Sequence, residues 1–151
     1  MIAPKQKKYK RSNAKIQQPN YQVFVSHATA DKWIAKTICE KIEKIGASTF
    51  RDDRDINGGD DIPDEIRKKI TLSQEFLVLL TPDSLNRTWI LLEVGAAWSW
   101  RKQIVPVLVH LEVDPIPAII KSKKAIKIND FDNYLRELSA RIEKRKNGKK
   151  T

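Results

Sequence analysis

Short apolar runs alternate with segments of helical periodicity along most of this chain, and this alternation constrains the fold more than any other feature of the sequence. Apolar runs of about four to eight residues between turn signals are typical of buried strands, whereas apolar residues spaced by three or four indicate an amphipathic helix. Strands that alternate with helices favour a parallel sheet with crossover helices. The sequence therefore predicts an α/β fold.

The apolar runs predict five short strands. The most continuous run is EFLVLL at residues 75–80, as expected for a central strand that is covered on both faces. Pro106 lies within the fourth predicted strand and cannot donate a ladder hydrogen bond, so we expect a bulge or a late start there. The predicted strands are residues 23–25, 47–50, 75–80, 104–111 and 125–128.

Four helices are predicted between and after these strands. The first follows Asp31 and ends at Gly46, and the third begins between residues 84 and 88 and runs through Trp98 or a little beyond. Apolar positions identify the second and the last helix and the apolar face of the first. These positions are Ile34, Ile38, Ile42 and Ile45 in the first helix, Ile62, Ile66 and Ile70 in the second, and Phe131, Leu135, Leu138 and Ile142 in the last.

Consecutive parallel strands require right-handed crossovers, so this order of elements predicts an open, doubly wound (flavodoxin-like) five-stranded parallel sheet with helices on both faces. Ligands of such sheets bind beyond the carboxyl ends of the strands, near the point where the winding direction reverses. We therefore expect a binding site among the loops at residues 26–30, 51–60 and 81–89.

The net charge of +10 is concentrated at the two ends of the chain. Residues 1–20 carry six basic residues and residues 144–151 carry five, and neither segment has an acid, which leaves 18 basic against 19 acidic residues in between. We predict one domain at residues 21–143 between two basic, disordered tails. The near-neutral domain argues against a nucleic-acid-binding body, although the tails could attach weakly to nucleic acid or to an anionic membrane surface.

The single cysteine, Cys39, falls in the first helical pattern and is predicted to be a buried thiol in a reducing compartment. The amino terminus lacks the apolar segment of a secretory signal, and no apolar run is long enough to span a membrane. We expect a cytoplasmic protein.

Several common sites are not supported by the sequence. It has neither a Gly-x-Gly-x-x-Gly fingerprint nor a phosphate-binding P-loop, and His27 and His110 lack partners at metal-ligand spacing. The acidic residues at 52–55 enclose an arginine and are more typical of a solvated loop than of a cation site. The acids of a response regulator are also missing, since Ser26 and His27 stand in place of the paired acids after the first strand, and Thr81 stands in place of the aspartate after the third. We therefore predict no metal and no bound cofactor.

The segment TWILLEVGAAW at residues 88–98 contains one charged residue, Glu93. Trp89 precedes it by four positions, so an aromatic ring and a carboxylate share one face of a helix that starts at the predicted binding edge. The simplest alternative is that Glu93 is an ordinary exposed helix acid and that Trp89 serves only in packing.

Four segments in this order and spacing resemble the successive motifs of a Toll/interleukin-1 receptor (TIR) domain of the bacterial type. The resemblance covers residues 21–142 and implies a doubly wound sheet of five parallel strands. The segments are YQVFVSHATAD at 21–31, STFRDDRDINGGDDI at 48–62, LVLLTPDSL at 77–85 and TWILLEVGAAW at 88–98.

The resemblance also implies an activity. Many members cleave NAD⁺ at its nicotinamide glycosidic bond, with the glutamate of a Trp-x-x-x-Glu pattern, here Trp89 and Glu93. By the same resemblance Ser26 and His27 line the NAD⁺ cleft, and Asp52 contributes to the site. NAD⁺ would then be a substrate, in bacterial immune or cell-death signalling.

One departure from the family pattern concerns phosphate recognition. Ala28 and Thr29 stand where some members have basic residues. The sequence therefore does not show how the loop after the first strand would hold the phosphates of NAD⁺.

One carboxylate is sufficient for this chemistry. Most glycosidases need a second carboxyl group to protonate the leaving oxygen, but nicotinamide in NAD⁺ is already a cationic leaving group. A single carboxylate that binds the ribose hydroxyls can stabilise positive charge at the anomeric carbon. In an apolar crevice that carboxylate needs a donor or water to stay ionised.

Three interpretations remain open at this stage. The chain is an NAD⁺-cleaving enzyme with a linear or a cyclic ADP-ribose product, a non-catalytic module that acts through TIR–TIR contacts, or a nucleotide-sugar transferase that uses a similar carboxylate. The resemblance implies self-association that includes the loop at residues 54–60, and activation by a separate sensor or effector protein.

Overall fold

The computed structural model describes residues 21–51, 64–111, 116 and 118–148. Within these residues short strands alternate with helices, as the periodicity predicts. The elements are β1 (Gln22–Ser26), α1 (Lys32–Lys44), β2 (Ser48–Arg51), α2 (Asp64–Leu72), β3 (Glu75–Leu80), α3 (Thr88–Ser99), β4 (Gln103–Leu108), β5 (Ile126–Lys127) and α4 (Phe131–Gly148).

The strands form one sheet in the order β2-β1-β3-β4-β5, and every neighbouring pair is parallel. From β1 the chain first adds β2 on one side and then returns to add β3, β4 and β5 on the other side. The winding direction therefore reverses between β1 and β3. This arrangement confirms the predicted doubly wound, five-stranded parallel sheet.

Helices cover both faces of the sheet, because side chains alternate along each strand. Val23 and Val25 of β1 lie in one core cluster with α1 and α4. Phe24, between them, lies in a second cluster with α2 and α3. All six residues of β3 are buried, as expected for a strand at the centre of two cores.

The first helix follows its predicted pattern. Ile38 and Ile42 are buried on the sheet side of α1, and Cys39 is a buried free thiol. Gly46 follows the helix at a φ of 98°, a left-handed conformation that favours glycine over any residue with a Cβ.

The bulge or late start predicted at Pro106 is wrong. The β3–β4 register runs without interruption from Gln103 to Leu108, with Pro106 opposite Val78. Val109 donates its N–H to Leu80 of β3, so by alternation the nitrogen of Pro106 faces away from β3, toward β5. The proline costs no ladder bond there, because β5 pairs with β4 only from Val107 onward.

The disordered tail predicted from residue 144 is wrong for residues 144–148, which are the last residues of α4. The Arg145 guanidinium lies 5.9 Å from the ring centroid of Tyr21, and Lys146 pairs with Glu143 of the same helix. Residues 1–20 lie outside the described residues. No described helix combines the length and the apolar character that crossing a bilayer requires.

A buried carboxylate joins α4 to the amino edge of the sheet, and the sequence analysis did not anticipate it. Glu75, the first residue of β3, accepts hydrogen bonds from the hydroxyls of Tyr21 at 2.7 Å and Tyr134 at 2.6 Å, and it forms an ion pair with Arg141. Burial is the main cause that raises the pKa of both tyrosines above the ordinary value, and the adjacent carboxylate of Glu75 raises it further.

Candidate active site

The candidate site lies at the carboxyl edge of the sheet, beside the reversal of winding between β1 and β3. Ser26 ends β1, and alternation places its side chain on the same face as Phe24, beneath α3. There the Ser26 hydroxyl donates a hydrogen bond to Oε2 of Glu93. Each of the two residues is 1% exposed.

Glu93 is therefore not an exposed helix acid, which was the simplest alternative interpretation of its position in the sequence. Its helix turns the carboxylate toward the sheet, where a neutral hydroxyl at a strand end supplies a donor. A buried carboxylate is costly without a hydrogen-bond donor, and the Ser26 hydroxyl provides one.

Trp89 lies one turn before Glu93 and is 5% exposed. Its indole belongs to the apolar cluster between α2, α3 and the sheet, so packing accounts for most of its surface. The N–H of a buried tryptophan usually finds a partner, but no described residue provides an acceptor for the buried Nε1–H of Trp89.

His27 follows Ser26 at the same edge and is 4% exposed. Its Nδ1 lies 3.5 Å from the carbonyl oxygen of Val25. Of the predicted site residues, the described structure brings Ser26 and Glu93 into contact, with Trp89 one helical turn away. Asp52 and the loop at residues 54–60 lie outside the described residues.

The sequence analysis missed a second buried network at this edge. Oδ2 of Asp31 accepts a hydrogen bond from the hydroxyl of Thr81 at 2.6 Å, so the loop after β1 is joined to the end of β3. Ser84 accepts from the Thr81 N–H at 2.8 Å and donates to the carbonyl oxygen of Leu79 at 2.9 Å. Asp31 directly precedes α1, and its side chain makes no capping bond to that helix.

The only sequence signal for this contact was position, because Asp31 and Thr81 both fall in loops that follow adjacent parallel strands. The network holds the two loops that flank Ser26 and Glu93. We interpret it as support for the site rather than as a reactive group.

Access to the carboxylate is restricted in this conformation. Ser26, His27, Trp89 and Glu93 are each 5% exposed or less. A dinucleotide can reach Glu93 only if part of the surrounding chain moves aside. The described conformation is therefore a closed one.

Comparisons with known proteins agree with this architecture. A family model described as the TIR domain matches residues 23–141. A 2′ cyclic ADP-D-ribose synthase, AbTIR, from Acinetobacter baumannii is 25% identical over 95 residues, which are 60% of this chain and 35% of that protein. The stimulator of interferon genes protein from Magallana gigas is 29% identical over 121 residues, which are 75% of this chain and 29% of that protein.

Solved structures show the same fold. A metazoan TIR-STING receptor from C. gigas, in complex with 2′,3′-cGAMP, superposes with a TM-score of 0.65 at 24% identity over 82% of this chain and 41% of that chain. The TIR domain of the Toll-related receptor TRR-2 from Hydra magnipapillata superposes with a TM-score of 0.60 at 24% identity, over 77% of this chain and 96% of that chain.

The aligned part of this chain spans about a third of the length of the two relatives matched by sequence. The family match, in contrast, covers most of this chain and includes all five strands and the Ser26–Glu93 contact. The chain belongs to the TIR-domain family.

Proposed function

We propose that this chain cleaves NAD⁺ at the nicotinamide glycosidic bond and that Glu93 is the catalytic carboxylate. The observation that carries the proposal is the buried Glu93 carboxylate, bonded by the Ser26 hydroxyl at the point where the sheet reverses its winding. The relative named as a 2′ cyclic ADP-D-ribose synthase supports a reaction of this class.

The reaction needs little proton transfer. The bond between the anomeric carbon and the pyridinium nitrogen breaks, and its electron pair neutralises nicotinamide as it leaves. The carboxylate of Glu93 stabilises the oxocarbenium-like transition state and holds the ribose hydroxyls. Water then adds to the anomeric carbon and loses a proton to give ADP-ribose, or a group of the ADP-ribose itself adds to give a cyclic product.

Two neighbouring groups would assist Glu93. The Ser26 hydroxyl orients the carboxylate through its hydrogen bond, so its part is to position Glu93. The buried Nε1–H of Trp89, which has no acceptor among the described residues, would donate to an oxygen of the substrate. We retain His27 and Asp52 as substrate-binding residues on the strength of the family resemblance.

Opening of the closed site would be the regulated step. Self-association through TIR–TIR contacts that include the loop at residues 54–60, or docking of a separate sensor protein, would supply the energy to move the covering chain. Cleavage that is silent until assembly suits an immune or cell-death signal in a bacterial cytoplasm, where NAD⁺ is abundant.

The alternative is a non-catalytic module that acts only through TIR–TIR contacts. The burial of Ser26, His27, Trp89 and Glu93 favours it, since a structural network needs no access for a substrate.

The two proposals differ in one measurement. The full chain, concentrated or templated into assemblies, is incubated with NAD⁺ and free nicotinamide is quantified. Glu93→Gln keeps the shape of the side chain and removes its charge, and Glu40→Gln makes the same change at an exposed position on α1. The enzyme proposal requires release by the wild type and by Glu40→Gln but not by Glu93→Gln. If the assembled wild type is as inactive as Glu93→Gln, the module proposal is correct.

A further inference from the structure

A basic groove of about 650 Å³ lies at the amino edge of the sheet, the edge opposite Glu93. Its walls come from separate parts of the chain, namely the segments that precede β1, β3 and β4 and the second half of α4. The charged and aromatic residues that the argument uses are Trp100, Arg101, Lys102, Arg141, Lys144 and Arg145. None of the residues that line the groove is acidic.

Most of this positive charge is not neutralised locally. Arg141 is paired with Glu75, but Arg101, Lys102, Lys144 and Arg145 form no ion pair with a carboxylate of the described residues. Four cations that face one concave surface repel one another. An anion in the groove would remove that repulsion.

Lys102 shows the effect of this environment. Its ammonium group donates to the carbonyl oxygen of Thr71 at 2.5 Å, and partial burial lowers its pKa from the ordinary value. A bound phosphate would supply the charge partner that the described residues lack.

The helix ends explain part of this pattern but not all of it. Cations are favoured at the carboxyl ends of helices, and Arg101 and Lys102 follow α3 while Lys144 and Arg145 lie near the end of α4. That effect accounts for each pair separately and not for their convergence on one groove. Arg101 also has a φ of 53°, at a position after a helix where glycine is usually found.

The shape and the surroundings of the groove indicate which anion it fits. The groove is largely open to solvent, so an extended ligand can lie along it, and the sequence has no phosphate-binding loop for a small nucleotide. The basic segments at residues 1–20 and 149–150 adjoin groove residues in the chain, so the cations extend beyond the groove along the sequence. This distribution suits a linear polyanion.

An aromatic ring points to a nucleic acid among linear polyanions. Trp100 is 54% exposed at the groove, where its indole is available to stack on a base. Proteins that bind single strands combine such stacking with a positively charged groove. We propose that this groove binds single-stranded nucleic acid, with its phosphates on Arg101, Lys102, Lys144 and Arg145 and a base on Trp100.

The test measures binding of the full chain to a fluorescent single strand of about 12 nucleotides, as oligo-dT and oligo-rU, by anisotropy between about 50 and 200 mM salt. The groove variant is Lys144→Ala/Arg145→Ala. Its matched control is Lys121→Ala/Lys123→Ala, which removes the same charge from exposed positions that do not line this groove. Thermal unfolding of each variant confirms that it is folded.

We expect the groove variant to bind at least about tenfold more weakly than the control variant. Its slope of log affinity against log salt should fall by about 1.4, because two phosphate contacts are lost. Trp100→Ala should weaken binding at least about fivefold for oligo-dT and leave binding of an abasic strand unchanged. The swap Lys144→Arg/Arg145→Lys keeps both charges and should bind as the wild type does.

Three results would overturn the proposal. Equal losses in the groove and control variants would assign binding to net charge alone. An unchanged affinity of Trp100→Ala, together with full competition by inorganic polyphosphate, would make the groove a plain anion site. Binding to vesicles with about one-third phosphatidylserine that depends on Lys144 and Arg145, without binding to the oligonucleotides, would assign the surface to a membrane.

Discussion

Among the residues that the structure describes, two glutamates are almost completely buried, and they lie at opposite edges of the same sheet. Glu75, at the amino edge, is bonded by two tyrosine hydroxyls and a guanidinium. Glu93, at the carboxyl edge, is bonded by the hydroxyl of Ser26. Five-residue β1 separates the two edges by about 16 Å.

The difference shows why burial alone does not identify an active site. Donors from α4 and from the residue before β1 surround Glu75, so its charge is neutralised and its task is to hold the helix on the sheet. Glu93 accepts from the hydroxyl of Ser26 and lies where doubly wound sheets bind ligands. Position in the sheet distinguishes the candidate catalytic carboxylate from the structural one.

The largest effect that we predict is on activity. Glu93→Gln should reduce nicotinamide release by about a thousandfold, or about 4 kcal/mol in the activation barrier, because the charge that stabilises the transition state is lost. Its melting temperature should stay within a few degrees of the wild type, since the amide still accepts from Ser26. A large fall in melting temperature with unchanged release would show that Glu93 is structural, like Glu75.

The corresponding change at the amino edge of the sheet is Glu75→Ala. It should lower the free energy of unfolding by about 3 kcal/mol, because it leaves the buried hydroxyl of Tyr134 without its acceptor and breaks the ion pair with Arg141. Urea denaturation measures this loss, with Glu40→Ala at an exposed position on α1 as control. Nicotinamide release per folded molecule should stay within about twofold. A loss of stability no greater than that of the control would contradict the structural assignment.

Ser26→Ala tests whether the partner of Glu93 matters to the reaction. We expect kcat to fall about tenfold, or about 1.4 kcal/mol, with a smaller change in KM, because the carboxylate loses the donor that orients it. Ser99→Ala removes an exposed hydroxyl that bonds a helix carbonyl and should leave kcat unchanged. The orienting role is excluded if both serine variants behave alike.

The smallest effect concerns alkaline pH. The pKa of Tyr134 is raised in the folded protein, by burial first and by Glu75 next, so the unfolded chain loses this proton at lower pH than the folded one. The stability that the phenol contributes is present below its ordinary pKa of about 10 and is lost as pH rises above it.

The free energy of unfolding of the wild type should fall between pH 10 and pH 11. In Tyr134→Phe this fall should be smaller by about 1 kcal/mol. Denaturant titrations of both proteins at the two pH values measure this difference. Identical pH dependence in the two proteins would mean that the phenol is not held protonated by its surroundings.

Much of the fold could be predicted from local patterns. The continuous apolar run at residues 75–80 coincides with β3, because a strand covered on both faces needs apolar side chains at every position. The third helix also falls within its predicted bounds. The contact between Ser26 and Glu93 was implied only through position and resemblance, and the bonded hydroxyl was not anticipated.

The misses involve partners that are distant in the chain. Pro106 fits a regular strand because β5 begins late on that side, which no local pattern could indicate. Residues 144–148 continue α4, where Arg145 lies over the ring of Tyr21. The bond of Asp31 to Thr81, from a different loop, was not anticipated.

Local patterns in the sequence are enough to predict the elements, their order and the doubly wound sheet, since periodicity and crossover handedness act over short distances. The partners of each buried acid, the cations that share a groove and the cover over the site emerge only in the folded chain. Those properties depend on the groups that surround each charge, and such groups come from segments far apart in the chain, such as Ser26 and Glu93, which are 67 positions apart.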